Sequence, residues 1–73
     1  MKIHYDPTVD ALYIELHQVE PGSVESRELS NEIIADYTGD GKLAGIEILD
    51  ASQFLGKEDL HKIVFEVAPA LAA

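Results

Sequence analysis

The residues from Asp36 to Glu47 hold the closest approach in this chain to a ligand-binding pattern. Counting Asp36 as first, Thr38 falls third, Asp40 fifth, Gly41 sixth, Leu43 eighth and Glu47 twelfth, the spacing by which an EF-hand loop wraps oxygen ligands around calcium. That chemistry needs a helix on each side to aim the ligands at one point. Both flanks here alternate as strands do, the third position is threonine and the ninth is Ala44. A tight hairpin turn accounts for Gly39 and Gly41 without an ion, and a hairpin is the expected structure.

The other candidate groups are dispersed. His4, His17 and His61 show no metal-ligand spacing such as H-x-x-x-H, so no metal site and no cofactor is expected. There is no cysteine, no G-x-S-x-G elbow and no glycine-rich phosphate loop, so no catalytic residue is assigned. Asp6, Asp10 and Asp50 stand where turns and caps use a carboxylate to accept backbone hydrogen bonds. Asp36 differs because it lies inside an apolar strand. If Ser30 pairs with Ile33, Arg27 faces Asp36 and neutralises it. Asp36 is therefore a carboxylate with either a structural or a functional role.

These residues must be positioned by strands. Lys2 to Tyr5 and Ala11 to Leu16 alternate on either side of Asp6-Pro7-Thr8-Val9-Asp10, which reads as a hairpin. Setting Asp6 opposite Ala11 puts Tyr5 against Leu12 and Ile3 against Ile14 on one side. Lys2 then faces Glu15 and His4 faces Tyr13 on the other. Pro21-Gly22 suits the centre of a type II turn. Val24 to Leu29, Ile33 to Tyr37 and Lys42 to Leu49 follow as three further strands. Pairing Tyr37 with Lys42 sets Ile33 against Ile46 and Ala35 against Ala44, and leaves Ile34, Leu43 and Gly45 on the opposite face. Both faces are then partly apolar, which a sheet with one wet side avoids. Leu29, Ile34 and Leu43 are the expected interaction surface.

Asp50 to Gly56 reads as a short helix capped by Asp50 or Ser52 and ended by Gly56. Ile63 to Val67 fits a helical stripe and also a strand; its β-branched and aromatic content favours a sixth strand. The expected fold is α+β, mostly β: an antiparallel meander of five to six strands with one short helix after the fifth. Residues 1–68 form one domain and 69–73 a tail.

With 73 residues, 47% hydrophobic and 26% charged, the chain has the composition of a folded domain but a short length for a self-sufficient core. Disulfides are excluded, so self-association is the expected extra stabilisation. The net charge of -9 opposes contact with nucleic acid or an anionic membrane and favours a basic protein partner. No apolar leader or membrane span is apparent, and a cytoplasmic location is expected.

Met1-Lys2-Ile3-His4-Tyr5-Asp6-Pro7, Asp10-Ala11-Leu12-Tyr13-Ile14, Asp36-Tyr37, Gly41 and Gly45-Ile46-Glu47-Ile48-Leu49-Asp50-Ala51-Ser52 resemble the YuzE-like bacterial domain of unknown function. The resemblance covers residues 1 to about 55. It implies a small strand-rich prokaryotic domain without established activity. It further implies an antitoxin-like role, since members of such families can be encoded beside small basic proteins resembling RNA-cleaving toxins. Ser30-Asn31-Glu32 departs from the glycine-containing turn expected there. The reading carried forward is a non-enzymatic interaction module, a homo-oligomer that binds a small basic protein. The alternatives are a small oligomeric enzyme with an acidic site between subunits, using Asp36 or Asp10 with a histidine, and a calcium-binding domain.

Overall fold

The computed structural model describes residues 1–69; four residues of the expected 69–73 tail lie outside them. Five antiparallel strands make one open sheet: β1 (Lys2–Asp6), β2 (Ala11–Glu15), β3 (Glu25–Glu28), β4 (Ile33–Tyr37) and β5 (Leu43–Ile48). A short helix α1 (Ala51–Leu55) and a 3-10 turn (Asp59–His61) follow. The strand order is β1-β2-β5-β4-β3. In contrast to a strictly sequential meander, the connection after β2 carries the chain to the far edge, and β3, β4 and β5 return so that β5 pairs with β2. This sorts the strands by polarity. The alanine- and isoleucine-bearing β5 becomes central, and the fully exposed Glu-Ser-Arg-Glu of β3 becomes an edge, where charge discourages further pairing.

The first hairpin has the expected register, with Lys2 opposite Glu15, Ile3 opposite Ile14, His4 opposite Tyr13, Tyr5 opposite Leu12 and Asp6 opposite Ala11. Its turn is set locally. The Asp6 carboxylate accepts the Thr8 N–H at 2.9 Å, and Asp10 takes the left-handed conformation at φ 54, which Asp tolerates better than most residues. The Pro21-Gly22 turn also forms, with the Ser23 N–H donating to the Glu20 carbonyl and Gly22 at φ 82.

Two registers differ from expectation. Between β4 and β5, Ile33 lies opposite Ile48 and Ala35 opposite Ile46, two residues from the expected pairs. Thr38 rather than Tyr37 pairs with Lys42, and a bulge at Asp36/Tyr37 inserts Ala44 as an extra residue. The shift of two keeps Ile33, Ala35 and Ile46 on one face and Ile34 and Gly45 on the other, but the bulge carries Leu43, expected beside Ile34, to the side of Ala35, opposite Tyr37. Between β3 and β4 the turn is one residue longer, with the Leu29 N–H donating to the Ile33 carbonyl. Ser26 consequently faces Asp36, while Arg27 faces Ala35. A shift of one exchanges the faces, so the expected Arg27–Asp36 ion pair does not form.

The combined registers divide the sheet. One face carries the cross-strand row Ala35, Ile46, Ile14, Ile3 and the row Ile33, Ile48, Leu12, Tyr5. The opposite face carries the row Glu28, Ile34, Glu47, Tyr13, His4 and the row Ser26, Asp36, Gly45, Glu15, Lys2. Contrary to the expectation of two partly apolar faces, carboxylates dominate the second. The buried core is small: Ala35, Ala44 and Ala51 are the buried hydrophobic residues, and no large side chain is fully buried among the described residues. Ile63 to Val67 is irregular and makes no strand, so the sixth expected strand is absent from this sheet.

Candidate functional site

Two carboxylates gather the polar chemistry of the chain. Asp10, at the end of the first turn, accepts the Tyr5 hydroxyl at 2.7 Å, the Ser52 hydroxyl at 2.7 Å and the Ser52 N–H at 3.0 Å. Its backbone carbonyl also accepts the Ala51 N–H at 2.9 Å. Asp50 occupies the N-cap position of α1 but makes no side-chain cap bond. The cap comes from Asp10, forty-two residues earlier, which ties the first hairpin to the helix. Hydrogen bonds from Tyr5 and then from Ser52 hold the Asp10 carboxyl below the usual aspartate range, with Lys57 adding a smaller push in the same direction. The same Tyr5 bond raises the phenol's pKa, because it stabilises the protonated form beside a negative charge. An open cleft of about 470 Å³ lies over this cluster, lined by Tyr5, Asp10, Ser52, Lys57 and His61 among others.

Asp36 is the second centre. It accepts the Ser26 hydroxyl at 2.6 Å from β3 and the Tyr13 hydroxyl at 3.0 Å from β2. Tyr13 reaches it by lying across β5 at Gly45, where a Cβ would come within 2.6 Å of Tyr13 Cζ. Asp36 thus ties four strands on the acidic face. Arg27, expected as its partner, instead sits 5.1 Å from the centroid of the Tyr37 ring, a cation-π distance.

Asp10 accepts two hydroxyls and an amide, which hold its carboxylate in the charged form, and Asp36 accepts two hydroxyls. Ser52 donates to the Asp10 carboxylate, whose lowered pKa makes it a weak base. Asp10 and His61 line one cleft without a hydrogen bond between them. Residues 36–47 form a hairpin, with the Gly41 N–H donating to the Thr38 carbonyl and Gly41 at φ 86. Asp36 and Glu47 lie in different cross-strand rows, so the EF-hand spacing does not converge on one point. Among the described residues no group of three or more His, Asp or Glu side chains is placed to hold a metal.

The three expected interaction residues occupy two places. Ile34 lies between Glu28 and Glu47 on the acidic face, and Leu29, 60% exposed, stands near the same end of β4. Leu43 is opposite Tyr37 at the far end of the β4–β5 pair. The residues missed by sequence reasoning are Tyr13 and Gly45. Their signal was present in a glycine interrupting an alternating strand, which marks a close approach.

Tyr13 offers a direct readout. Burial, then its bond to Asp36, then the nearby charges of Asp36, Glu15 and Glu47 push its pKa up to about 12. A raised phenol pKa stabilises the fold fully below the unfolded value of about 10. That contribution is lost as pH climbs toward 12. In a phenolate absorbance titration, Asp36→Asn is expected to bring the highest-titrating tyrosine down toward 10. A highest phenol pKa unchanged by that substitution contradicts the assignment.

A family model described as a protein of unknown function, DUF2283, matches residues 2–52. No curated protein and no solved structure matches the chain. The matched span runs from the first strand to Ser52, and so contains every member of both carboxylate clusters.

Proposed function

This chain belongs to the DUF2283 family of proteins of unknown function, and we propose that it is a non-enzymatic module that binds a small basic protein through its acidic sheet face. Within the family, Met1 to Pro7 and Gly45 to Ser52 support the finer YuzE-like reading, and with it an antitoxin-like role in the cytoplasm. No described helix is long and apolar enough to cross a membrane.

The observation that carries this reading is the row Glu28, Ile34, Glu47, Tyr13. It offers an isoleucine between two carboxylates and an aromatic ring beside the second, which suits a partner's Lys or Arg flanking an apolar side chain. Glu15 and Asp36 extend the charge in the next row. The ion pair found among the described residues is Lys42–Asp40 at 3.7 Å, exposed at a hairpin tip, so the chain's own cations leave this face largely unneutralised. A net charge of -9 speeds encounter with a cation and makes it salt-dependent.

The test uses Glu15→Gln, Glu28→Gln and Glu47→Gln together, substitutions that leave both carboxylate clusters intact. The native chain is expected to capture a basic protein from its host extract at low salt and to release it at about 0.5 M salt, where screening is strong. The triple variant is expected to capture at least tenfold less. Equal capture by both chains, or none by either, removes the reading.

A further inference from the structure

Residues 62–69 leave the 3-10 turn as irregular chain with no strand partner. Four of them are large and apolar, and they stand in the open: Ile63 is 63% exposed, Val64 67%, Phe65 77% and Val67 76%. The radius of gyration is 14.5 Å, against about 11 Å for a compact chain of this length, so the molecule extends beyond what its own core organises.

We propose that residues 62–67 form an exchanged arm, which adds as a sixth strand to the β1 edge of a second copy while the second copy returns its own arm. The sequence supports a strand. Ile63, Phe65 and Val67 share one side in an extended chain, and Val64 and Glu66 the other. Such a strand needs backbone partners, which an open sheet edge supplies.

The two edges of the sheet differ. β3 presents Glu25, Ser26, Arg27 and Glu28, which offer nothing apolar to a new neighbour. β1 carries Ile3, 41% exposed, and Tyr5 at the end of the two apolar rows. A strand added there continues those rows with Ile63, Phe65 and Val67. The occupant is a second copy because every molecule carries both halves of the contact, an arm without a strand partner and an open β1 edge at which two apolar rows end. Reciprocal exchange closes with two-fold symmetry and creates no further free arm. Each arm brings on the order of 500 Å² of its own surface and covers as much of its partner, so the pair buries about 2,000 Å², above the roughly 1,600 Å² of a standard interface. This surface is distinct from the acidic face proposed to bind a basic protein, and the two proposals fail independently.

Sedimentation equilibrium of the full chain is expected to give twice the 8.0 kDa chain mass at micromolar concentration. Phe65→Asp with Val67→Asp is expected to weaken association at least 100-fold with the circular dichroism of the sheet retained. Because the chain has no cysteine, Lys2→Cys and Glu66→Cys can each be placed in separate chains, mixed and treated with a short bismaleimide. Cross-links between the two singly substituted chains support exchange. A monomer at about 100 μM, association indifferent to the arm substitutions, or cross-links confined to a doubly substituted chain overturns it.

Discussion

Gly45→Ala is expected to cost about 2 kcal/mol of stability, because the added methyl group overpacks a buried position on the central strand. The added Cβ would lie 2.6 Å from Tyr13 Cζ, closer still to its hydroxyl, and 3.1 Å from the Ile14 carbonyl oxygen. The backbone contact leaves little room to shift, so the ring must swing away. Swinging breaks the Tyr13–Asp36 bond and leaves Asp36 with the Ser26 hydroxyl alone. The cost should therefore depend on Tyr13. In a Tyr13→Leu background the same substitution is expected to cost less than about 1 kcal/mol, a coupling that urea midpoints resolve. Equal costs in both backgrounds would mean that Gly45 matters for some other reason.

Asp10→Ala should be the most damaging change at the first turn, lowering the melting temperature by at least about 5 °C. It removes the acceptor for Tyr5 and for both donors of Ser52. It also places alanine at φ 54, where a Cβ without a polar side chain is strained. Asp10→Asn should be milder because asparagine tolerates that backbone and keeps one carbonyl acceptor. The sign of the pH dependence follows from the lowered carboxyl pKa. The Asp10 contribution is present above the unfolded value of about 3.9 and lost as pH falls through the lower folded one. Acid should narrow the gap between native and Asp10→Asn chains, and thermal melts from neutral to acidic pH measure it. A gap independent of pH would place the effect in backbone conformation alone.

The sequence was most legible where alternation and turn chemistry agreed. Asp6-Pro7 and the apolar alternation on both sides specify the first hairpin, and every pair there stands as expected. The β4–β5 hairpin is displaced by two because alternation through Lys42-Leu43-Ala44-Gly45 does not locate the bulge, which keeps Ile34 and Gly45 on their expected face but moves Leu43 to the other. One additional turn residue before Ile33 had the larger chemical consequence. It replaced Arg27 with Ser26 beside Asp36 and turned an expected ion pair into a hydroxyl-bound carboxylate. The helix cap was expected from a neighbouring residue, whereas Asp10 supplies it through tertiary contact. The pairing of β2 with β5 is likewise non-local, and no local propensity encodes it.

The two candidate clusters are fasteners: one joins the first hairpin to α1, and the other laces four strands together. What they hold in place is a single-layer sheet with an apolar side and an acidic side. Neither side is matched by enough of the chain's own structure. The two proposals follow from that geometry: a like copy at the apolar edge and a cationic protein at the carboxylate face.

Native mass determination of the chain captured gently from its host tests that conclusion most directly. The expected species contains two 8.0 kDa chains together with a basic protein, and it loses the basic protein first as salt is raised. A single unaccompanied chain at every salt concentration would contradict it.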